Sequence, residues 1–419
     1  MEKLVGACVF GQSGGPSAVI NASASGVFSE ALNQPNITEV YGAAHGIKGI
    51  LDENFYDISK EKPHELWLLR NTPSSALGSV RYKLKDPRVD NTDYKRILEV
   101  FKKYNIRYFF YNGGNDSMDT CNKISKFLLG AGYKCNIIGV PKTIDNDLFG
   151  TDHCPGYGSA AKYVATTIME LNLDATVYNI GQVTIIEIMG RNAGWLTAAA
   201  QLATAVGGYG ADLIYLPEVP FNTDKFITDV KAVTEKNKGK CIVAVSEGIK
   251  DKNGKYISEV LNAASATKDN FGHTQLGGLA SNLANLVKEK LDCKVRAIEF
   301  SLMQRCAAHL ASAVDVEEAY LAGQTAVRMA CNGETDKMVV FERDTSTGTY
   351  RCIPKLIDVA LAANTEKKVP LDWIVNGGTA LSKKYIDYAL PLIQGDSKAP
   401  LENGLPRFAK LEKILVPKK

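Results

Sequence analysis

Short, unbroken runs of aliphatic and β-branched residues recur along this chain, separated by stretches with helical periodicity. Leu4 to Phe10 is the first such run. It predicts a buried strand that stops at glycines, with a helix from about Ser17 to Leu32 behind it. Arg107 to Tyr111 predicts a second strand, again ending at glycines and followed by a helical stretch from Ser117. Ile137 to Val140, Val183 to Ile188, Leu213 to Leu216 and Ile242 to Val245 repeat the pattern. A strand with one wet face alternates polar and apolar residues, whereas runs that are apolar throughout belong to parallel sheets covered by helices on both sides. The expected fold class is therefore α/β with mainly parallel sheets.

In such sheets ligands bind beyond the carboxyl ends of the strands, so the strand-to-helix turns are where chemistry is expected. Those turns carry the unusual residues. They read Gly11-Gln12-Ser13-Gly14-Gly15, Gly113-Gly114-Asn115-Asp116-Ser117, Pro141-Lys142-Thr143-Ile144-Asp145-Asn146-Asp147, Met189-Gly190-Arg191 and Ser246-Glu247-Gly248. No repeat, low-complexity tract or linker interrupts the chain, which favours two interleaved lobes over domains in series.

Composition narrows the class. The 419 residues are 45% hydrophobic and 23% charged, ordinary values that exclude a disordered or collagen-like chain. The 49 basic and 46 acidic residues leave a net charge of +3, too mild for a nucleic-acid partner recognised by charge alone. No apolar run approaches the ~20 residues of a membrane span, and Met1-Glu2-Lys3-Leu4 does not read as a signal peptide. Cysteines 8, 121, 135, 154, 241, 293, 306, 331 and 352 form no Cys-x-x-Cys pair, so neither a zinc site nor a redox motif is signalled. Reduced, mostly buried thiols in the cytoplasm are expected. The five histidines have no metal-ligand spacing and are expected to be structural.

Glycines between a strand and a helix let backbone N–H groups approach a phosphate, and a helix N-terminus adds partial positive charge. Gly14-Gly15 and Gly113-Gly114 both fit that use, although neither the dinucleotide fingerprint nor the P-loop pattern occurs. Asp145 and Asp147 follow an apolar run with Lys142 just upstream. They read either as a turn-capping pair or as a carboxylate that removes a hydroxyl proton beside a partner that orients it or meets a metal. Phosphoryl transfer needs an oriented nucleophile and cations around the moving group. Lys142, Arg81, Arg191, Arg296 and Arg305 are the candidate cations.

Several of these segments together resemble the phosphofructokinases. They are Ser-Gly-Gly at 13–15, Leu-Gly-Ser-Val-Arg at 77–81, Gly-Gly-Asn-Asp-Ser at 113–117, Pro-Lys-Thr-Ile-Asp-Asn-Asp at 141–147, Met-Gly-Arg-Asn-Ala-Gly at 189–194, Ser-Glu-Gly at 246–248 and Arg-Ala-Ile-Glu-Phe-Ser-Leu-Met-Gln-Arg at 296–305. They occur in family order as far as about residue 330. The resemblance implies two Rossmann-like lobes: residues 1–150 binding the phosphoryl donor and completed by about 275–330, and 151–274 binding the sugar phosphate. Residues 331–419 form a C-terminal extension. It further implies phosphoryl transfer to the 1-hydroxyl of fructose 6-phosphate, with magnesium, in a homodimer or homotetramer. Asp145 would accept the hydroxyl proton and Thr143 would place the sugar. Met189, Gly190, Arg191 and Glu247 would hold its hydroxyls, and Arg296 and Arg305 its 6-phosphate. Gly14 and Gly114 would meet the donor, while Arg81 would offset charge on the transferring group.

Within that family, ATP users resemble Gly-Gly-Asp-Gly-Ser and Pro-Gly-Thr-Ile-Asp, and pyrophosphate users Gly-Gly-Asp-Asp and Pro-Lys-Thr-Ile-Asp. Asp116 and Lys142 match the pyrophosphate pattern, so pyrophosphate and phosphate are the expected donor and product. An ATP-dependent member and a non-catalytic sugar-phosphate-binding relative are the alternatives. Three departures stand out. Asn115 occupies the position of a magnesium-binding aspartate, Gln182 that of an arginine shared between subunits in bacterial ATP-type relatives, and Leu302 that of a histidine or tyrosine. Trp373 and Tyr388 are expected to anchor the extension in the core. No duplicated effector half is visible.

Overall fold

The computed structural model describes residues 4–177, 179–261, 278–363 and 365–419. Two larger sheets are built from β1 (Gly6–Gln12), β2 (Ile37–Ala43), β3 (Phe55–Asp57), β4 (Ile106–Gly113), β5 (Asn136–Pro141), β6 (Gln182–Ile188), β7 (Leu213–Tyr215), β8 (Lys240–Ser246), β9 (Val295–Glu299), β10 (Lys337–Asp344) and β11 (Arg351–Asp358). Among the described residues the first sheet has seven strands in the order β11-β10-β5-β4-β1-β2-β3, and the second has four in the order β7-β8-β6-β9. Every pairing in the second sheet is parallel, and only the edge strands β3 and β11 run antiparallel in the first.

The apolar runs form the buried strands because both faces are covered. β1, β5 and β6 are buried along their whole lengths. Helix Ile20–Ala31 packs against helix Ala313–Cys331 on one side of the first sheet, while Ile97, Phe101, Cys121 and Ile124 fill the other. The first helix starts at Ile20 rather than Ser17 because the residues before it are held in a loop, where the Ser17 carbonyl accepts from Ser74 N.

The lobes divide differently from the expected boundaries. Val295–Glu299, assigned above to the first lobe, pairs with β6 in the second. Helix Leu279–Leu291 lays Leu279, Leu283 and Val287 on the core that holds Val183 and Val243, so the crossover returns to the sheet it left. Lys337–Asp358, assigned above to the extension, instead completes the first sheet, with Lys337 opposite Ile138. The extension proper thus begins after Asp358. Its end runs along the edge strand β3, where Asp57 N donates to the Ile414 carbonyl and Val416 N to that of Phe55, covering an edge otherwise open to association. The expected boundary at 274–275 and His273 lie outside the described residues.

Trp373 and Tyr388 pack as anticipated, with ring centroids 5.9 and 5.1 Å from that of Trp195. All nine cysteines are free, five of them buried. His153 is buried between two carboxylates, 2.9 Å from Asp152 and 2.7 Å from Glu318. Among the described residues no helix is long and apolar enough to cross a membrane.

Candidate active site

The ends of β1, β4, β5, β6 and β8 open onto one cleft of about 710 Å³ between the two sheets. It gathers Gly14, Arg81, Gly114, Asn115, Asp116, Lys142, Thr143, Asp145, Met189, Arg191, Glu247, Leu302 and Arg305 from the segments singled out by sequence. Gly190 lies buried in the backbone turn between Met189 and Arg191. Arg296 stands apart, exposed on β9 outside the cleft lining. Gln182 is buried at the start of β6, where its amide donates to Thr184 Oγ1 at 3.2 Å.

One wall is cationic. Lys142 leaves the end of β5, is 5% exposed, and its ammonium donates to the Gly15 carbonyl at 2.7 Å. Gly14 has φ +76°, and a Cβ there would sit 3.2 Å from Lys142 Nζ; one on Gly15 would sit 2.9 Å from an Arg305 guanidinium nitrogen. Two glycines are therefore what lets this turn close over the two cations. Burial pulls the Lys142 pKa down to about 8, with Arg305 and Arg81 adding repulsion and Asp145 partly opposing it. Burial and the Arg81 charge lower Arg305 as well. Cations held this close together draw phosphate groups to this end of the cleft. Gly114 beside it caps helix Asn115–Gly130, whose N-terminus faces the cleft.

The adjoining turn is acidic. Asp145 and Asp147 follow β5 on a turn held by Asp145 N donating to Thr143 Oγ1 at 3.1 Å. Burial and the neighbouring Glu247 raise the Asp145 carboxyl above its ordinary value, and burial together with Asp145 and Glu366 does the same to Asp147. Glu247 itself is pushed up to about 7 by burial. A carboxyl shifted toward neutrality is suited to accept a hydroxyl proton near pH 7. Arg191 lies within the field of Asp145 and Glu247 and favours their charged forms.

The loop Met189–Arg191 is fixed by three groups from two segments. Met189 N donates to Gln304 Oε1 at 3.1 Å, Gly190 N to Glu247 Oε1 at 3.3 Å, and Ser246 Oγ to the Gly190 carbonyl at 2.5 Å. Gly190 has φ +144°, where a Cβ would meet the Ala193 carbonyl at 2.7 Å. Asn115 Nδ2 donates to Asp147 Oδ2 at 3.2 Å, while its Oδ1 is buried with no hydrogen-bond partner among the described residues. A carbonyl and a carboxylate oxygen side by side are a donor set that suits a hard divalent cation. Asp116 sits exposed on the rim, 3.8 Å from Lys83 Nζ.

Some residues of this site were not singled out by sequence. Asn146, with φ +55°, and Gln304 lie inside the quoted motifs, and their burial is the signal that separates them from their neighbours. Glu366 lines the cleft from the C-terminal extension and gives no sequence signal.

Comparison with known proteins agrees with the geometry. Residues 8–309 match the family described as phosphofructokinase. The chain is 42% identical over 413 residues to the pyrophosphate--fructose 6-phosphate 1-phosphotransferase of Halomonas elongata, covering 98% of this chain and 97% of that one. It is 43% identical over 421 residues to the protein of the same name from Xanthomonas campestris pv. campestris, with 99% and 98% covered. Among solved structures, a pyrophosphate-dependent phosphofructokinase from Marinobacter aquaeolei superimposes with a TM-score of 0.87 at 41% identity, covering 99% of this chain and 98% of its own. One from Nitrosospira multiformis gives a TM-score of 0.89 at 38% identity, with 98% of each chain covered. Fold, motif order and full-length likeness converge: the chain belongs to the phosphofructokinase family.

Proposed function

We propose that this protein transfers a phosphoryl group from pyrophosphate to the 1-hydroxyl of D-fructose 6-phosphate, giving D-fructose 1,6-bisphosphate and phosphate, and that the reaction runs in both directions. The observation that carries the reading is the pairing of a cation pocket closed by Gly14-Gly15 with the acidic turn at Asp145, within one cleft. Names shared over the full length of the chain support the same donor and acceptor.

In this reading Lys142, Arg81 and the N–H groups of Gly14 and Gly114 hold the pyrophosphate. Arg305 grips the 6-phosphate with its planar fork, and the Met189–Arg191 loop with Glu247 receives the sugar hydroxyls. Asp145 takes the proton from the 1-hydroxyl as its oxygen attacks the near phosphorus. Phosphate then leaves, its developing charge offset by Lys142 and Arg81. Magnesium is the proposed cofactor, with Asn115 Oδ1 and Asp147 as the groups that would hold it; when bound, it supplies positive charge to the diphosphate oxygens. Cytoplasmic location and a homodimer or homotetramer complete the proposal. The edge strand β9, exposed at Arg296 and Ala297, is the surface we assign to assembly with a second copy.

A purified-enzyme assay with pyrophosphate and ATP in parallel tests the donor; ATP turnover far above pyrophosphate turnover would reject it. A pH experiment tests Lys142. A lysine whose pKa is lowered to about 8 is charged below that pH and loses its proton as pH rises through it. The KM for pyrophosphate should therefore climb above pH 8 in the wild type relative to Lys142→Arg, whose guanidinium stays charged. Parallel KM profiles for the two would separate Lys142 from donor binding.

A further inference from the structure

We propose that residues 366–369 form a strap fixing the two reactive loops relative to each other, with Lys367 as a positioning residue for Asp145. The inference rests on the phosphoryl transfer proposed above and deepens it. The strap lies beyond residues 8–309, the part of the chain that matches the family.

Lys367 is tied to both lobes at once. Its backbone N donates to the Asp147 carbonyl at 2.8 Å, and Glu366 bridges Leu148 in antiparallel fashion, which joins the strap to the Asp145 turn. Its carbonyl accepts from Trp195 Nε1 at 2.9 Å, at the end of the Met189–Gly194 loop of the second lobe. Its ammonium donates to the Asp152 carbonyl at 2.7 Å and the Thr151 carbonyl at 3.2 Å, and lies 3.5 Å from Asn146 Oδ1 and 5.0 Å from the Trp195 ring centroid.

The flanking residues repeat the bridge. Glu366 Oε1 accepts from Asn192 Nδ2 at 2.7 Å, and Val369 N donates to Glu218 Oε1, which also accepts from Gly194 N at 2.8 Å. Beneath the turn, Asn146 Nδ2 donates to the Tyr388 hydroxyl at 2.8 Å, which donates to the Asp152 carbonyl at 2.7 Å. The loop that carries the base and the loop that receives the sugar hydroxyls thus share one support. Each loop keeps its own internal bonds, and the backbone bonds of the strap do not depend on the Lys367 side chain, so removing the ammonium alone frees residues 146–152 from the Trp195 ring, leaves binding intact and misaligns base and hydroxyl. Misplacement of that kind acts on the chemical step.

The test is steady-state kinetics and thermal melting of Lys367→Met beside the wild type, with pyrophosphate as donor. We expect kcat to fall by about 10- to 100-fold while both KM values stay within about threefold, because alignment and not ground-state binding is lost. Unchanged kcat overturns the proposal, even if the melting temperature drops. Raised KM with unchanged kcat overturns it too. If Lys367→Met does not fold, Lys367→Arg decides. A planar fork cannot satisfy acceptors arranged around a point charge, so kcat should drop about three- to tenfold at constant KM; wild-type kcat refutes the strap. A wild-type protein inactive with pyrophosphate would instead refute the proposed reaction.

Discussion

Asp145→Asn is expected to lower kcat by about 10²–10⁴-fold, the contribution of a positioned general base, while fructose 6-phosphate binds as tightly as before. The substitution preserves shape and leaves the turn in place, because Thr143 Oγ1 is bonded to the backbone N at 145 and not to the carboxylate. It removes a charge crowded by Glu247 and Asp147, so binding loses nothing electrostatically. The amide has no lone pair basic enough to accept the 1-hydroxyl proton. Because burial raises the Asp145 carboxyl, the wild-type rate should also fall as pH drops below neutrality and the carboxylate fills with protons. Steady-state rates together with calorimetric titration of fructose 6-phosphate check both statements. A rate close to wild type would remove Asp145 from the chemistry.

The turns that line the cleft were legible in the sequence because each combines a strand ending with glycine or charge, two signals that come from local backbone chemistry. Gly14 and Gly190 occupy conformations or clearances that a side chain would spoil, and this shows in the letters themselves. Strand β10 carries the same signal in Met338-Val339-Val340-Phe341 and was passed over, whereas β11 was not legible. β11 alternates its burial and contains Pro354, so Arg351–Asp358 lacks the apolar run by which the other strands announce themselves. The placement of β9 depended on where helix Leu279–Leu291 lays its apolar stripe, which is a tertiary outcome. The strap is the extreme case. Glu366-Lys367-Lys368-Val369 reads as a polar loop, and its role arises from partners 151 to 221 positions away, such as Asn192, Trp195, Asn146 and Glu218. Tyr388 was read as a core anchor and is one, yet its hydroxyl also accepts from Asn146 in the Asp145–Asp147 turn.

Donor choice carries the second large effect. Pairing Asp116→Gly with Lys142→Gly is expected to reduce the preference for pyrophosphate over ATP, measured as the ratio of kcat/KM values, by about 100-fold or more. The two residues contribute unequally. Asp116 is exposed and already faces Lys83 at 3.8 Å, so its repulsion of a nucleotide phosphate is that of a charge in near-aqueous surroundings, about 1 kcal/mol at 4 Å. Removing it alone should shift the ratio only about fivefold. Lys142 is buried at the Gly14-Gly15 turn, where a charged hydrogen bond to the donor is worth about 1.5–3 kcal/mol, or roughly 10- to 150-fold in affinity. A nucleotide has its base and ribose to anchor it, whereas pyrophosphate has only its charge, so loss of this cation falls mainly on pyrophosphate. Parallel kinetics with both donors on the two single variants and the pair would display that order. An unchanged ratio in the double variant would mean that donor choice is made elsewhere in the cleft.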